Sequence, residues 1–125
     1  MKKAGWIMTA LFTLFMLFAS VAPKFMGAQA AVDSMASIGW SVQHLWLIGS
    51  IELVATLLFL WPRTALLGAA LLMALFGGAL ASHWRAGSPL PSHTLFSIYL
   101  GTFMWISLWL RDASIRKLFP VKSGE

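Results

Sequence analysis

Charged positions divide the chain into long apolar stretches. Twenty uncharged residues separate Lys3 from Lys24 (AGWIMTALFTLFMLFASVAP), enough for one membrane-spanning helix. Another 21 run without a charge from Thr64 to Trp84. A further 25 lie between Arg85 and Arg111, but Gly87, Pro89 and Pro91 predict a turn at their start. The span there is expected to begin near His93 or Thr94 and to end at Leu110. The fourth stretch, His44 to Trp61, reads HLWLIGSIELVATLLFLW and carries one charge, Glu52. Pro62 cannot supply the backbone donor of a continuing helix and restrains Trp61, so a break is predicted at Trp61-Pro62-Arg63.

The pattern therefore predicts an all-α, integral membrane four-helix bundle. Its spans fall at about 5–22, 44–61, 64–84 and 93–110 of one membrane domain covering 1–125, with a tail at 111–125. Between Lys24 and Gln43 lies the one long connection. Ala31, Met35 and Ile38 stand there at helical spacing beside polar Asp33, Ser34 and Ser37. A short helix lying in the membrane interface and a plain loop both fit.

Composition agrees with this pattern. Of 125 residues, 59% are hydrophobic and 10% charged, whereas an ordinary soluble domain is about a quarter charged. There is no cysteine, which excludes disulfides, thiol redox centres, iron–sulfur clusters and covalent c-type haem.

The net charge of +5 would suggest a nucleic-acid partner in a soluble protein. Here the basic residues border apolar runs, so they encode orientation instead, and no nucleic acid is expected. With the N-terminus inside, that side holds Lys2, Lys3, Arg63, Arg111, Arg116, Lys117 and Lys122, against Lys24 and Arg85 outside. The excess predicts that both termini are cytoplasmic, in a multi-pass membrane protein. The opening MKK and Ala28-Gln29-Ala30 also look like a cleaved secretory signal. The apolar run exceeds the usual 7–15 residues of such a signal, so a retained span is the expectation.

Glu52 is the most informative residue. A carboxylate within a span is costly and should face the bundle interior or a water-filled cavity. Counted from the cytoplasmic ends, Thr13 and Thr102 stand at about its depth and Tyr99 slightly further out, so these hydroxyls are its expected partners. The structural reading is one interhelical hydrogen bond; the functional reading is a proton- or ligand-binding carboxyl. Lys24, His44, His83, Arg85 and His93 gather at the outer ends and are expected to line a polar mouth, or to snorkel to water. Direct contact between this cluster and Glu52 is not expected. Two histidines on facing helices are a ligand set that haem b uses, although no spacing selects it, and no metal triad is visible. On the third span Ala70, Ala74, Gly78 and Ser82 recur every fourth residue, flanked by Gly77 and Ala81, which predicts close helix packing.

The stretch IGSIELVATLLFLWPRTALLGAALLMALFGGALASHWRAGSPLP resembles the DoxX-like family of small four-helix bacterial membrane proteins. The features are Gly49 and Glu52 in the second span, the Pro62-Arg63-Thr64 turn, Phe76-Gly77-Gly78, and the closing His83 and Arg85. The last segment, LWLRDASIRKLFP, also looks like the family's end of the fourth span. The resemblance covers about residues 40–120. The wider DoxX/DoxD grouping includes a subunit of a thiosulfate:quinone oxidoreductase and a membrane partner in an oxidative-stress complex. It implies an accessory or structural subunit that partners a redox or quinone-linked system, with a quinone near the polar mouth. The alternative is a small proton-coupled transporter using Glu52, which would need a homo-oligomer. An independent enzyme ranks last, because no catalytic or cofactor motif is visible.

Overall fold

The computed structural model describes residues 1–122. The last three residues of the expected tail, 123–125, lie outside the described range. The chain is all-helical, without a strand among the described residues. Helix α1 is Lys2–Met26, α2 is Gln29–Ser37 and α3 is Leu45–Leu60. Helix α4 is Ala65–Ala86, α5 is Leu90–Arg111 and α6 is Ala113–Leu118. Three of them, α1, α4 and α5, are long and apolar enough to cross a membrane, and α3 is apolar but shorter at 16 residues.

The break at Pro62 falls where the proline predicts it. Trp61 is extended, with ψ of 124°, and Thr64 Oγ1 donates to Leu58 O at 2.7 Å across the turn. Two boundaries differ from expectation. Helix α1 runs on to Met26 rather than stopping near residue 22. Pro23 would clash with the carbonyl of Ala19 in a regular helix and offers it no donor. The chain answers with a π turn at Met16–Val21, in which Ala22 N–H reaches back five residues to Leu17 O. Helix α5 starts at Leu90, three residues before His93. Proline is tolerated in a first turn, and Leu90–Thr94 winds as a second π turn with Thr94 N–H donating to Pro89 O at 3.1 Å.

Helix α1 packs along α5, α5 along α4, and α4 along α3, while α3 returns to the second half of α1. The α3–α4 seam depends on Gly68: a Cβ there would lie 2.7 Å from Ala55 O and inside the Phe59 backbone. The core centres on Phe12, which meets Phe59 edge-on at 5.6 Å and Phe76 at 6.3 Å, with buried Leu72, Met104 and Leu108 around them. Exposed apolar side chains are spread over α1, α3, α4 and α5, among them Leu11, Phe18, Val54, Leu57, Leu67 and Ile106. A soluble monomer rarely exposes so much apolar surface.

The predicted packing row on α4 is corrected by the structure. Ala70, Ala74, Gly77, Gly78 and Ala81 are exposed and Ser82 is half-buried. Open space surrounds the Cβ positions of Gly77 and Gly78. The buried face is Ala65, Gly68, Ala69, Leu72 and Phe76 instead. Both faces carry small residues at near-helical spacing, and only the neighbouring Ala55 and Phe59 decide which one packs.

At the end of the molecule where the chain begins, Arg111 is buried and ties three helices together. It donates to Thr9 Oγ1 at 2.9 Å and to Phe59 O on α3, and its guanidinium stacks 4.4 Å from the Trp6 ring and 4.5 Å from the Phe59 ring. The cation thus satisfies a carbonyl in the last turn of α3, where the helix dipole is negative. Helix α6 follows, capped by Asp112, whose Oδ1 accepts from Ser114 N–H at 3.0 Å and from its hydroxyl at 2.6 Å. Helix α2 presents Met35 inward and leaves Asp33, Ser34 and Ser37 exposed.

Candidate functional site

Ser20 and Lys24 lie one turn apart on α1, so they share a face. That face meets α3 at Glu52, which is 5% exposed. Lys24 Nζ is 2.7 Å from Glu52 Oε1 as an ion pair and donates to Ser20 Oγ at 2.9 Å and to Ser20 O at 3.2 Å. Ser20 in turn donates its hydroxyl to Glu52 Oε2 at 2.7 Å. The result is a closed, charge-balanced triad, the arrangement that makes a buried ion pair tolerable. Gly49, one turn before Glu52, admits the close approach, since a Cβ there would stand 3.3 Å from Lys24 Cβ.

These partners replace the ones expected. Thr13 Oγ1 is buried and makes no hydrogen bond, and Tyr99 and Thr102 are exposed on α5. Thr102 lines a separate cavity of about 350 Å³ with Met73, Trp105 and Trp109. Counting depth from the helix ends near Lys3, Arg63 and Arg111 assumed that those ends are level. They are not: short α3 ends beside Thr9 and Phe12, so Glu52, seven residues earlier, falls opposite Ser20. Lys24 contradicts the expectation that no member of the mouth cluster reaches Glu52. It sits in the last turn of α1, while Glu52 is about 10 Å into α3 at helical rise. The lysine side chain spans the remainder.

The triad forms part of the wall of a half-open cavity of about 650 Å³ lined by α1, α2, α3, α4 and α5. Apolar walls come from Phe15, Ile48, Leu75, Phe96 and Leu100. Ala74, Gly78 and Ser82 also line it, so the small residues of α4 make room rather than pack. Helix α2 contributes Ala31, Ser34, Met35 and adjoining Ile38. Trp40, which follows it, donates Nε1–H to Ser82 Oγ at 3.1 Å and links this segment to α4.

Of the expected mouth residues, Lys24, His44, His83 and His93 all line this cavity. Arg85 does not; it is exposed, with its guanidinium near Gly39. The His83 and His93 rings meet edge-on at 6.1 Å, and their Nδ1 atoms lie 3.0 Å from Ser88 Oγ and 2.8 Å from Ser92 Oγ. His44 packs edge-on against Trp40 at 5.7 Å.

Three important residues escaped the sequence reading. Ser20 is visible only as the residue four before Lys24. Arg111 looks like an interfacial cation, and only the Trp6 and Phe59 rings show it to be buried. Ser97, on α5, is buried, lines the cavity, and has a hydroxyl without a hydrogen-bond partner. Nothing in the sequence distinguishes it from Ser92 or Ser107.

Apolar helices of membrane-crossing length, lipid-like outer faces and a charge pair turned inward define a helical membrane protein. The chain belongs to the DoxX-like family, whose sequence profile matches residues 7–107. Comparison with curated proteins and with solved structures gives no match.

Proposed function

We propose that the protein is a multi-pass four-helix bundle of a bacterial inner membrane. In this reading both termini are cytoplasmic, α2 lies in the opposite interface, and the chain serves as an accessory subunit of a redox or quinone-linked system. The observation that carries it is the cavity of about 650 Å³, within the ~300–1,000 Å³ range of small-molecule sites. Its apolar walls suit a quinone ring. The residues available to meet the ring's polar atoms are His83, His93 and Ser97. When bound, a quinone would supply electron acceptance; the chain's own residues would hold and orient it. The charge excess of Lys and Arg at the opposite end supports the orientation.

Purification in mild detergent followed by lipid extraction and mass spectrometry tests this reading. A co-purifying quinone or redox protein is the expected result, and a clean preparation holding neither overturns it. The proton-coupled transporter reading needs a carboxyl free to exchange its proton. Glu52 is instead held by Lys24 and Ser20 at 2.7 Å each, which weighs against it. Unchanged uptake and resistance phenotypes in Glu52→Gln would remove that alternative.

A further inference from the structure

We propose that the cavity selects an uncharged amphiphile, an apolar chain or ring bearing an oxygen function, with Ser97 Oγ as its polar anchor. This rests on the reading of the cavity as a ligand site. Ser97 retains 7% of its surface, and its hydroxyl is enclosed without a partner. Serine and threonine hydroxyls in helices commonly turn back to a carbonyl of their own helix. Thr9 does so to Gly5 O at 2.8 Å, Ser50 to Trp46 O at 2.7 Å and Ser107 to Met104 O at 2.7 Å. Ser97 lies just past the π turn at Leu90–Thr94 and makes no such bond. A buried hydroxyl left without a partner is costly. Thr13 and Thr56 are in the same position, but of the three Ser97 alone belongs to the cavity wall, where rotation about its Cα–Cβ bond brings the hydroxyl to a ligand oxygen.

The selection against charge comes from the triad. Lys24 is paired with Glu52 and hydrogen-bonded to Ser20, and Ser20 donates to the Glu52 carboxylate. An anion or a cation binding at the triad would have to break this pair. Either exchange leaves the buried Glu52 carboxylate or the half-buried Lys24 ammonium without its partner. A neutral molecule leaves the pair intact, lies along Phe15, Phe96 and Leu100, and meets Ser97. The anchor sees oxygen, and the balanced pair rejects ions.

Trp40 lines the cavity, so bromine-labelled probes report occupancy by quenching tryptophan fluorescence of the full-length protein in detergent. The probes are 11-bromoundecan-1-ol, 11-bromoundecanoate, 11-bromoundecyl-trimethylammonium and 1-bromododecane. The saturable component is the signal, and Gly78→Phe, which fills the open space on the α4 wall, sets the unspecific baseline. Ala74→Phe serves the same purpose one turn away. The alcohol should saturate at least tenfold more tightly than either ion. Ser97→Ala should weaken the alcohol about five- to tenfold, the worth of one hydrogen bond, and leave 1-bromododecane unchanged. Equal affinity for the three headgroups, or no effect of Ser97→Ala, overturns this proposal while leaving a ligand cavity. No saturable quenching by any probe, with Gly78→Phe identical to wild type, overturns the ligand-site reading itself.

Discussion

Lys24 Nζ and Glu52 Oε1 lie 2.7 Å apart, and the two residues belong to helices that run in opposite directions. Glu52 is buried and Lys24 half-buried between the two helices, and each charge is neutralised by the other's side chain. The pair therefore behaves as a unit. Lys24→Met should destabilise the protein by about 3 kcal/mol, because it leaves a buried carboxylate without its partner, and Glu52→Gln should cost less, because the ammonium left behind is half-buried. The double variant should recover more than half of the Lys24→Met loss. Unfolding in detergent followed by tryptophan fluorescence measures both, and additive losses would contradict a coupled pair.

Arg111 holds α1, α3 and α5 together through Thr9, Phe59 O and two aromatic rings. Arg111→Lys keeps the charge but loses the planar fork and the ring stacking. It should therefore fall well short of wild type, with Arg111→Ala costing roughly 3 kcal/mol or more. A lysine variant as stable as wild type in the same unfolding assay would show that charge alone is sufficient.

Two glycines on α4 should respond in opposite ways. Gly68→Ala drives a methyl into Ala55 O and the Phe59 backbone, which cannot yield, so a loss of about 1–3 kcal/mol is expected. Gly78→Ala meets open space and should be neutral or stabilising by up to about 1 kcal/mol. The difference in melting temperature between the two variants is the measurement. Equal losses would restore Gly78 to a packing role.

Asp112 caps α6, and its bond from the Ser114 hydroxyl holds its carboxyl below the ordinary range. A carboxyl whose value is lowered by folding stabilises the fold at pH above its unfolded value, about 3.9, and loses that contribution as pH falls through the lowered value. Asp112→Ala should cost about 1 kcal/mol near neutral pH, the usual worth of an N-cap side chain. The gap between wild type and variant should close below pH ~3.9. A gap that persists at acid pH would show that the cap acts without its charge.

Much of the fold was legible because two signals are local. Uncharged run length marked α1, α4 and α5, and Pro62 marked the break before Thr64. The helical spacing of Ala31, Met35 and Ile38 allowed α2. The site was less legible because it depends on how helices of unequal length align. Glu52 and its cavity neighbours His44, His83 and His93 stood out as polar residues in apolar stretches. Its partners did not, since the offset of α3 against α1 follows from Phe12, Phe59 and Arg111 meeting at the other end. The spacing of Ala74 and Gly78 was real, but spacing alone does not tell a wall of a cavity from a helix seam.

The π turn at Met16–Val21 has a consequence for how such a site changes over time. It accommodates one residue more than a regular helix would over the same rise. Deleting a single residue there would leave a regular helix whose two flanks stay in phase, whereas the same deletion in the regular part of α1, Lys2–Phe15, would rotate everything beyond it by roughly 100°. The first change keeps Lys24 facing α3, and the second swings Ser20 and Lys24 off it. In alignments of relatives, a one-residue gap within this short window should accompany a retained Lys24–Glu52 pairing, and a gap in Lys2–Phe15 its loss.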